Sequence, residues 1–402
     1  MPEQIAIIGA GASGMVAAII ATRRGASVRI YEKNSKIGKK ILATGNGRCN
    51  ITNKNITTSN YHGTHATFVN PAINRFNTTA CTEFFRELGI EIFEGNNGRL
   101  YPKSHQSSSV VELLRYECQR LGVTFIFPCE VTQIQAGHDR FIISHQDGKD
   151  KASKVLIATG GLAMPTLGSC DSGYKFAQAF GHSIIEPYAS LVQLETKEDL
   201  ASINGVKIEG MIEILIDGQS ATSKNDDILF ANYGISGSAI LDVSRHASWA
   251  LEHHKKVKAK IDLVPEYSKE QLKNVLQKRK KYSNHKSVDL WLDGFINSKI
   301  ARFIARDFSV KNADNLNTKD IISLVYAFKN LQLTITGTRG FKSAEVTAGG
   351  INTDEVQSQS MESKLQKGLF FAGEVLDIDG DCGGFNLHWA WASGYCAGQN
   401  II

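Results

Sequence analysis

The sequence feature that most constrains this chain is a glycine-rich turn close to its start. It follows Ile5–Ile8, a short apolar run typical of a strand that is buried on both faces. Gly9 permits a sharp turn, Gly11 leaves room for a pyrophosphate against the backbone, and Gly14 lets the next helix approach the strand. The amide groups at the start of that helix would point at the phosphates. The pattern therefore predicts a strand, a turn and a helix that bind a dinucleotide.

An acidic residue closes the same unit. A second strand over Val28–Tyr31 ends at Glu32, whose carboxylate can accept hydrogen bonds from ribose hydroxyls. A carboxylate at this point disfavours a 2′-phosphate, so NADP is not expected in this site. The alternative is a glycine-rich α/β turn without a ligand. The small Ala18 on the helix and Gly25 at its end complete the pattern and favour the dinucleotide.

A basic, glycine-rich loop follows directly after the ribose-binding acid. Lys33, Lys40 and Arg48 would place positive charge near the phosphates. Gly45 and Gly47 would let the backbone lie against a flat ring. The alternative is a solvated basic loop, but the position of the loop in the chain favours contact with the cofactor.

Three later points in the chain carry similar signals. Two apolar strands end in short polar or glycine-rich turns, where the backbone could again reach a cofactor bound at the carboxyl ends of the strands. The residues in these turns are Thr159, Gly160, Gly161, Gly373 and Glu374. Gly384, Phe385 and Asn386 then open the last helix, whose positive end could hold partial negative charge on a reduced ring. The alternative for this last turn is close packing without a ligand.

Composition limits the class of protein. The 402 residues suggest two or three domains, and 42% hydrophobic with 21% charged residues is ordinary for a globular protein with a full core. The net charge of +5 is mild and does not by itself indicate nucleic acid. The seven cysteines contain no C-x-x-C pair and are odd in number, which indicates reduced thiols. With neither a signal peptide nor a membrane span expected, we predict a cytoplasmic protein.

The spacing of apolar residues along the chain indicates an α/β fold with two insertions. We predict a Rossmann-like domain that carries an inserted β-barrel-like domain, read as short alternating strands, and an inserted helical domain. The predicted ranges are 1–190 and 347–402 for the nucleotide domain, 191–264 and 331–346 for the β insert, and 265–330 for the helical insert. The basic run Lys278–Lys281 in the helical insert is interpreted as a solvated helix face, so a nucleic-acid partner is not expected.

No metal site is predicted. Asp377, Asp379 and Asp381 alternate as in a calcium-binding loop, but Gly383 and Gly384 follow where such a loop continues, and its last glutamate is missing.

The whole chain resembles a two-dinucleotide-type flavoprotein family that includes BaiN-type bile-acid-reductase-like and aminoacetone-oxidase-like proteins. The segment Gly9–Glu32 is similar to the long glutathione-reductase-type FAD fingerprint, and further matches are Ala43–Asn50, Ala158–Gly161, Val346–Ile351 and Gly373–Gly394. The resemblance implies non-covalent FAD, and not NAD, in the N-terminal site. The contacts that it implies are Ser13, Glu32, Lys33, Lys40, Arg48, Cys49, the backbone of Val131 at the adenine, Gly161, Glu374 and Asn386.

Two departures leave the catalytic residues unassigned. Relatives carry a histidine in the β insert that Phe230–Ser238 lacks, and they often have glutamine where this chain has His388. The resemblance implies an FAD-dependent oxidoreductase that transfers hydride through flavin N5 to or from a small organic molecule. NAD(P)H would be a transient co-substrate, because no second glycine fingerprint exists. The alternatives are an oxidase of an amine that uses oxygen and a flavin-containing binding or RNA-associated protein; the oligomeric state is left open.

Overall fold

The computed structural model describes residues 4–308 and 311–402. These residues form two compact units: unit 1 is Met1–Tyr188 with Ala344–Ile402, and unit 2 is Ala189–Ser343. Unit 2 is therefore an insertion in the chain of unit 1. The finer division of the insertion into a β part and the helical part 265–330 stays a prediction. Within the described residues, no helix is both long enough and apolar enough to cross a bilayer.

The strands of unit 1 before the insertion are β1 (Gln4–Ile8), β2 (Ser27–Tyr31), β3 (Thr52–Asn53), β4 (Tyr61–His62), β5 (Ile92–Glu94), β6 (Arg99–Pro102), β7 (Thr124–Ile126), β8 (Val131–Ala136), β9 (Phe141–His145), β10 (Gly148–Ala152), β11 (Lys154–Ile157) and β12 (Ile184–Ser190). Those of unit 2 are β13 (Leu194–Thr196), β14 (Lys207–Ile216), β15 (Gln219–Ala231), β16 (Gly234–Ser236), β17 (Val257–Asp262) and β18 (Leu331–Thr338). Unit 1 resumes with β19 (Val346–Ile351), β20 (Leu369–Phe371) and β21 (Asp379–Gly380).

The helices of unit 1 before the insertion are α1 (Ala12–Arg23), α2 (Lys39–Ala43), α3 (Asn70–Arg75), α4 (Thr78–Glu87), α5 (Ser107–Arg120) and α6 (Ser172–Ala179). Unit 2 contains α7 (Ser238–Glu252), α8 (Lys269–Lys280), α9 (Val288–Asp293), α10 (Ser298–Ala305), α11 (Thr318–Lys329) and α12 (Gly340–Ser343). The last helix, α13 (Phe385–Asn400), returns to unit 1.

A parallel sheet in the order β20-β11-β1-β2-β7 forms the centre of unit 1. In its register Ile8 lies beside Ile157 on one side and Tyr31 on the other. The carboxyl ends of these strands therefore meet at one edge, where a doubly wound sheet binds its ligand. The central strands β1 and β11 are apolar and buried over Ile5–Ile8 and Val155–Ile157, as expected where both faces of a sheet are covered. The predicted Rossmann-like domain is confirmed.

Unit 2 is built on a closed barrel of antiparallel strands in the order β13-β16-β15-β14-β17-β18. The predicted barrel-like insert and helical regions are confirmed. One expectation is wrong: residues 191–264 are not strands alone, because α7 lies among them and packs on β14 and β15. Its apolar residues recur at helical spacing, with Ile240, Val243 and Ala247 buried in the core of the unit.

The two ends of the chain pack against each other through α1 and α13. A Cβ on Gly394 would lie 2.4 Å from the Ser13 carbonyl oxygen, and one on Gly398 would lie 2.7 Å from that of Ala17. Glycine at both positions lets the two helix backbones approach closely. This contact places the start of α1 next to residues that follow β20.

His388, on the same helix α13, is a buried packing residue. Its ring is fully buried and lies 6.3 Å from the Phe76 ring in a stacked arrangement. A 2.8 Å hydrogen bond joins its Nδ1 and Thr52 Oγ1. Its Nε2 makes no hydrogen bond to the described residues. Burial lowers the pKa of His388 to about 3, so the ring is neutral in the folded protein.

His388 makes stability depend on pH in a direction that follows from this shift. Between the unfolded value of 6.5 and the folded value of about 3, only the unfolded state binds the proton. Stability therefore falls as pH falls below 6.5, by about 1.4 kcal/mol per pH unit from this group. Urea unfolding at several pH values between 7 and 4.5 measures the slope. His388→Gln, which cannot titrate, should have a shallower slope, and equal slopes would contradict the assignment.

Candidate functional site

The three fingerprint glycines lie where β1 turns into α1. Gly9 has a φ of +111°, and a Cβ there would lie 2.5 Å from the Ala158 carbonyl oxygen at the end of β11. A Cβ on Gly14 would lie 2.1 Å from the Gly9 carbonyl oxygen. These two glycines are therefore required for packing within the turn. Ser13 is buried between them and donates a 3.2 Å hydrogen bond to the Ala372 carbonyl after β20.

Gly11 differs from the other two glycines because open space surrounds it. Its backbone is extended, with φ −88° and ψ −164°, and a Cβ there would meet nothing within 4 Å. Gly11 is also the N-cap of α1, and no side chain of the described residues caps the helix. The first amide groups of α1 thus face a free space, which is the arrangement that binds an anionic phosphate group.

Glu32 is fixed at the end of β2 beside this turn. Its Oε2 accepts a hydrogen bond from the Ala10 amide at 3.0 Å, and its Oε1 accepts one from the Asn34 amide at 2.8 Å. Its own carbonyl oxygen accepts one from the Cys129 amide at 2.7 Å, which brings the start of β8, and so Val131, to the same end of the site. Lys33 follows Glu32 and hydrogen-bonds to the Cys170 thiol. Burial raises the pKa of that thiol, but the interactions with Lys33 and Ser172 outweigh burial, so the pKa lies below its usual value.

Lys40 and Glu374 meet across 334 positions of sequence. Lys40 Nζ lies 2.5 Å from Glu374 Oε2, and Glu374 Oε1 accepts a hydrogen bond from the Thr347 amide at 2.9 Å. Gly161 lies against both, since a Cβ there would be 2.5 Å from Thr347 Oγ1 and 3.1 Å from Glu374 Oε1. The start of α2, the turn after β11 and the turn after β20 are thereby joined at one place.

The loop after α2 has an unusual backbone. Gly45, Asn46 and Gly47 all have positive φ, and so does Cys49 with φ +59°. Arg48 is exposed and lies over the Tyr101 ring at 5.2 Å. Cys49 is fully buried, and burial raises the pKa of its thiol to about 12, against a smaller lowering from Thr44. Cys49 is therefore a neutral thiol and is not poised as a nucleophile.

The start of α13 is a second uncapped helix end. Gly384 is its N-cap with φ +97°, and no side chain within the described part of the chain caps it. A Cβ on Gly384 would lie 2.9 Å from Asn50 Oδ1, which is buried and has no hydrogen-bond partner in the described residues. Phe385 is buried in the core. Asn386 holds the preceding loop, because its side chain bonds both the amide and the carbonyl of Gly380.

Three predicted residues complete this edge of the sheet, and two further residues were not predicted individually. Thr159 and Gly160 follow β11, and open space surrounds Gly160 as it does Gly11. Gly373, after β20, donates its amide to Ser393 on α13. Thr347 and Asn50 were not predicted as individual contacts, although both lie in stretches that carried the family resemblance. Only a structure shows that Asn50 Oδ1 lacks a partner.

These residues fit a dinucleotide that carries a flat ring. The uncapped start of α1 suits a pyrophosphate, Glu32 suits a ribose, and the unpaired Asn50 Oδ1 beside the start of α13 suits a hydrogen-bonding ring edge. Two of the aspartates with calcium-like spacing make contacts within the fold: Asp377 accepts from the Thr64 amide at 2.8 Å, and Asp381 pairs with His62 at 2.8 Å.

Comparison with known proteins shows similarity over the whole chain. The family described as the HI0933-like protein Rossmann domain matches residues 3–400. The chain is 37% identical to a 3-dehydro-bile acid delta(4,6)-reductase of Clostridium scindens, covering 99% of this chain and 98% of that one. It is 32% identical to a ribosomal RNA dihydrouridine synthase of Haemophilus influenzae, covering 98% and 97%.

A solved structure supports the fold alone. The chain is similar to 3-ketosteroid delta1-dehydrogenase from Sterolibacterium denitrificans in complex with 1,4-androstadiene-3,17-dione, with a TM-score of 0.52, 11% identity, and coverage of 100% of this chain and 99% of that one.

Fold, site and relatives together define an FAD-dependent oxidoreductase built on a Rossmann-like domain. The chain belongs to the HI0933-like family, because the match to the family spans nearly its full length and both relatives named above exceed 30% identity across it. The resemblance noted from the sequence is confirmed.

Gly11→Ala separates the role of Gly11 in binding from its role in folding. Ala is sterically compatible with the backbone of Gly11, and its Cβ would meet no protein atom. We expect the apoprotein to keep its stability within about 1 kcal/mol. FAD affinity should fall at least about tenfold, because the methyl group fills the space for the pyrophosphate.

Fluorescence titration of apoprotein with FAD and urea unfolding measure the two quantities. Gly14→Ala is the matched contrast, since its Cβ would be 2.1 Å from a backbone oxygen and should destabilise the fold as well. Unchanged FAD affinity in Gly11→Ala would contradict the placement of the pyrophosphate.

Proposed function

We propose that this protein is an FAD-dependent reductase of a carbon–carbon double bond conjugated with a carbonyl group. The observation that carries the proposal is the pair of uncapped helix ends, at Gly11 and Gly384, with an unpaired buried amide oxygen on Asn50. Bound FAD supplies a ring that accepts and donates a hydride at N5. The pyrophosphate would lie against the start of α1, and the ring would lie near Gly45–Cys49 and the start of α13.

The residues of unit 1 would act through binding, orientation and electrostatics. The positive end of α13 would stabilise negative charge on the reduced ring. Glu32 would hold a ribose, and Lys40, fixed by Glu374, would contribute positive charge beside the ring end of the site. The neutral Cys49 thiol leaves no role for a thiolate redox partner at that position.

The names of two relatives support the same reaction class. One is a delta(4,6)-reductase of a 3-dehydro-bile acid, and the other forms dihydrouridine in ribosomal RNA. By their names, both add hydrogen across a carbon–carbon double bond in a ring that bears a carbonyl group. We infer the shared chemistry for this chain, with NAD(P)H as the donor that visits the flavin transiently.

Anaerobic stopped-flow mixing tests the proposal. We expect NADH or NADPH to reduce the yellow holoprotein, and a 3-oxo-4,6-diene steroid or ribosomal RNA to reoxidise it at least about tenfold faster than air-saturated buffer does. The Gly11→Ala variant without bound FAD is the negative control. Reduction by amines and reoxidation by oxygen alone would contradict the proposal and favour the oxidase alternative.

A ribonucleic acid substrate is the second candidate, and the charge distribution favours it. Lys/Arg and Asp/Glu balance in unit 1, so unit 2 carries the whole formal net charge of +5. Only part of the basic run Lys278–Lys281, at the end of α8, is exposed for contact with RNA. Arg279 donates to the Trp291 carbonyl oxygen and Lys280 to that of Leu316, which leaves Lys278 and Lys281 exposed.

A double variant distinguishes the two substrate classes. Lys278→Gln with Lys281→Gln should lower affinity for ribosomal RNA about threefold to tenfold and reduce its salt dependence, because two phosphate contacts are lost. The same variant should reduce the steroid at an unchanged rate. Lys255→Gln, at an exposed lysine elsewhere in unit 2, is the control. RNA turnover that is equal in all three proteins would remove this surface from the RNA hypothesis.

A further inference from the structure

Three side chains with metal-ligand chemistry meet beside the turn between β9 and β10. Cys129 Sγ, a ring nitrogen of His145 and a carboxylate oxygen of Asp147 all lie within 4.8 Å of one another. Cys129 is buried, His145 is half-buried, and Asp147 is exposed, so the cluster opens toward solvent on one side. Sulfur, imidazole nitrogen and carboxylate oxygen form a ligand set typical of Zn²⁺.

The fold brings these residues together from two segments. Cys129 lies in the connection between β7 and β8, where its amide donates to the Glu32 carbonyl at 2.7 Å. His145 ends β9 and is paired in register with Val131. Gln146, in the turn that carries Asp147, donates from Nε2 to the Pro128 carbonyl at 3.1 Å. Protein contacts alone therefore hold the ligands close together.

Among the three side chains, His145 has the surroundings that most favour metal binding. Its side chain is only 10% exposed, yet its Nε2 makes no hydrogen bond to the part of the chain that the structure describes. Asp150 Oδ2 lies 3.3 Å from this nitrogen, and Asp150 is itself held by Arg29 at 3.0 Å and by the Tyr31 hydroxyl at 2.7 Å. A fixed carboxylate at Nε2 orients a metal-binding histidine and leaves Nδ1 as the ligand atom. Nδ1 accepts a hydrogen bond from the Asp147 amide at 3.3 Å, which the metal would replace.

We propose that Cys129, His145 and Asp147 bind one Zn²⁺ ion, with water as the fourth ligand. The thiol proton of Cys129 passes to solvent as the sulfur–zinc bond forms, and no group is oxidised or reduced. The thiolate and the Asp147 carboxylate then balance the charge of the ion. Ligand atoms of a tetrahedral zinc site lie closer together than 4.8 Å, so the side chains must converge on binding.

The surroundings favour a cation at this place. Burial raises the pKa of the Cys129 thiol, and the charges of Asp147 and Asp150 raise it further. The same negative charges attract a divalent ion, whose binding displaces the thiol proton. The site would join the β9–β10 turn to the connection that carries Cys129. It adjoins two predicted FAD contacts, since the Cys129 amide donates to the Glu32 carbonyl and His145 pairs in register with Val131, but it uses none of their side chains and does not rest on the proposed function.

Zinc titration of the holoprotein tests the proposal. Protein dialysed against a chelator is titrated with zinc chloride by calorimetry, and bound zinc is counted by mass spectrometry after gel filtration. We expect one equivalent in the wild type and at least about tenfold weaker binding in Cys129→Ser and Asp147→Asn. Asp139→Asn, an exposed aspartate in the preceding β8–β9 turn, and Cys170→Ser are matched controls that should bind like the wild type.

The Asp147→Asn variant decides the outcome, because an exposed turn residue can be replaced without loss of the fold. Its far-ultraviolet circular dichroism and bound FAD should equal those of the wild type. Wild-type affinity for zinc in this variant would overturn the proposal. So would uptake of less than half an equivalent by the wild type, or equal weakening by the two control substitutions.

Discussion

The structure of unit 1 depends on a helix start that the protein leaves uncapped. The first amide groups of α1 have no acceptor at Gly11 among the described residues, and the space in front of them is open. A buried or half-buried helix end without partners is unfavourable unless a ligand completes it. An anionic phosphate provides both the acceptors and the charge that the helix end requires. The glycine spacing, the register of β1 with β11 and the position of Glu32 all serve this one requirement.

Closing the site needs residues that are far apart in sequence. Gly394 and Gly398 let α13 pack on α1, and this packing places Gly373 and the start of α13 beside the first turn. The Lys40–Glu374 pair fixes the same junction from the other side. It is partly exposed, so its contribution to stability is modest, but it determines where a charged amine lies. Unit 2 is inserted between Tyr188 and Ala344, so the residues that close the site come from the two parts of unit 1 on either side of the insertion.

Short-range sequence patterns predicted those strands, turns and helices whose formation depends mainly on neighbouring residues. The strand–turn–helix at Ile5–Arg23 follows from glycine spacing. Helix α8 lies in the segment that was predicted to be helical, and the structure adds a capping box at Ser268 that marks its start. Helix α7 was missed because small residues such as Ala247 and Ala250 weaken the apolar pattern that marks a helix, while strands surround it in sequence. The Lys40–Glu374 contact and the unpaired Asn50 Oδ1 depend on long-range packing, so spacing alone could not predict them. The resemblance to a family supplied Lys40 and Glu374 as contacts, but not their pairing.

The same limit applies to charge and to metal ligands. The four consecutive basic residues Lys278–Lys281 at the C-terminal end of α8 suggest a continuous cationic surface. Arg279 and Lys280, however, bond carbonyl oxygens within unit 2 and contribute little of that surface. Conversely, Cys129, His145 and Asp147 follow no familiar ligand spacing, because their proximity arises from a hairpin turn folded against a neighbouring connection. The basic run therefore suggests more charge for RNA binding than the fold exposes, whereas the spacing of Cys, His and Asp gives no sign of the proposed zinc site. In both cases the decisive observation is which polar atoms the folded chain already satisfies, since only the unsatisfied ones remain to bind a partner.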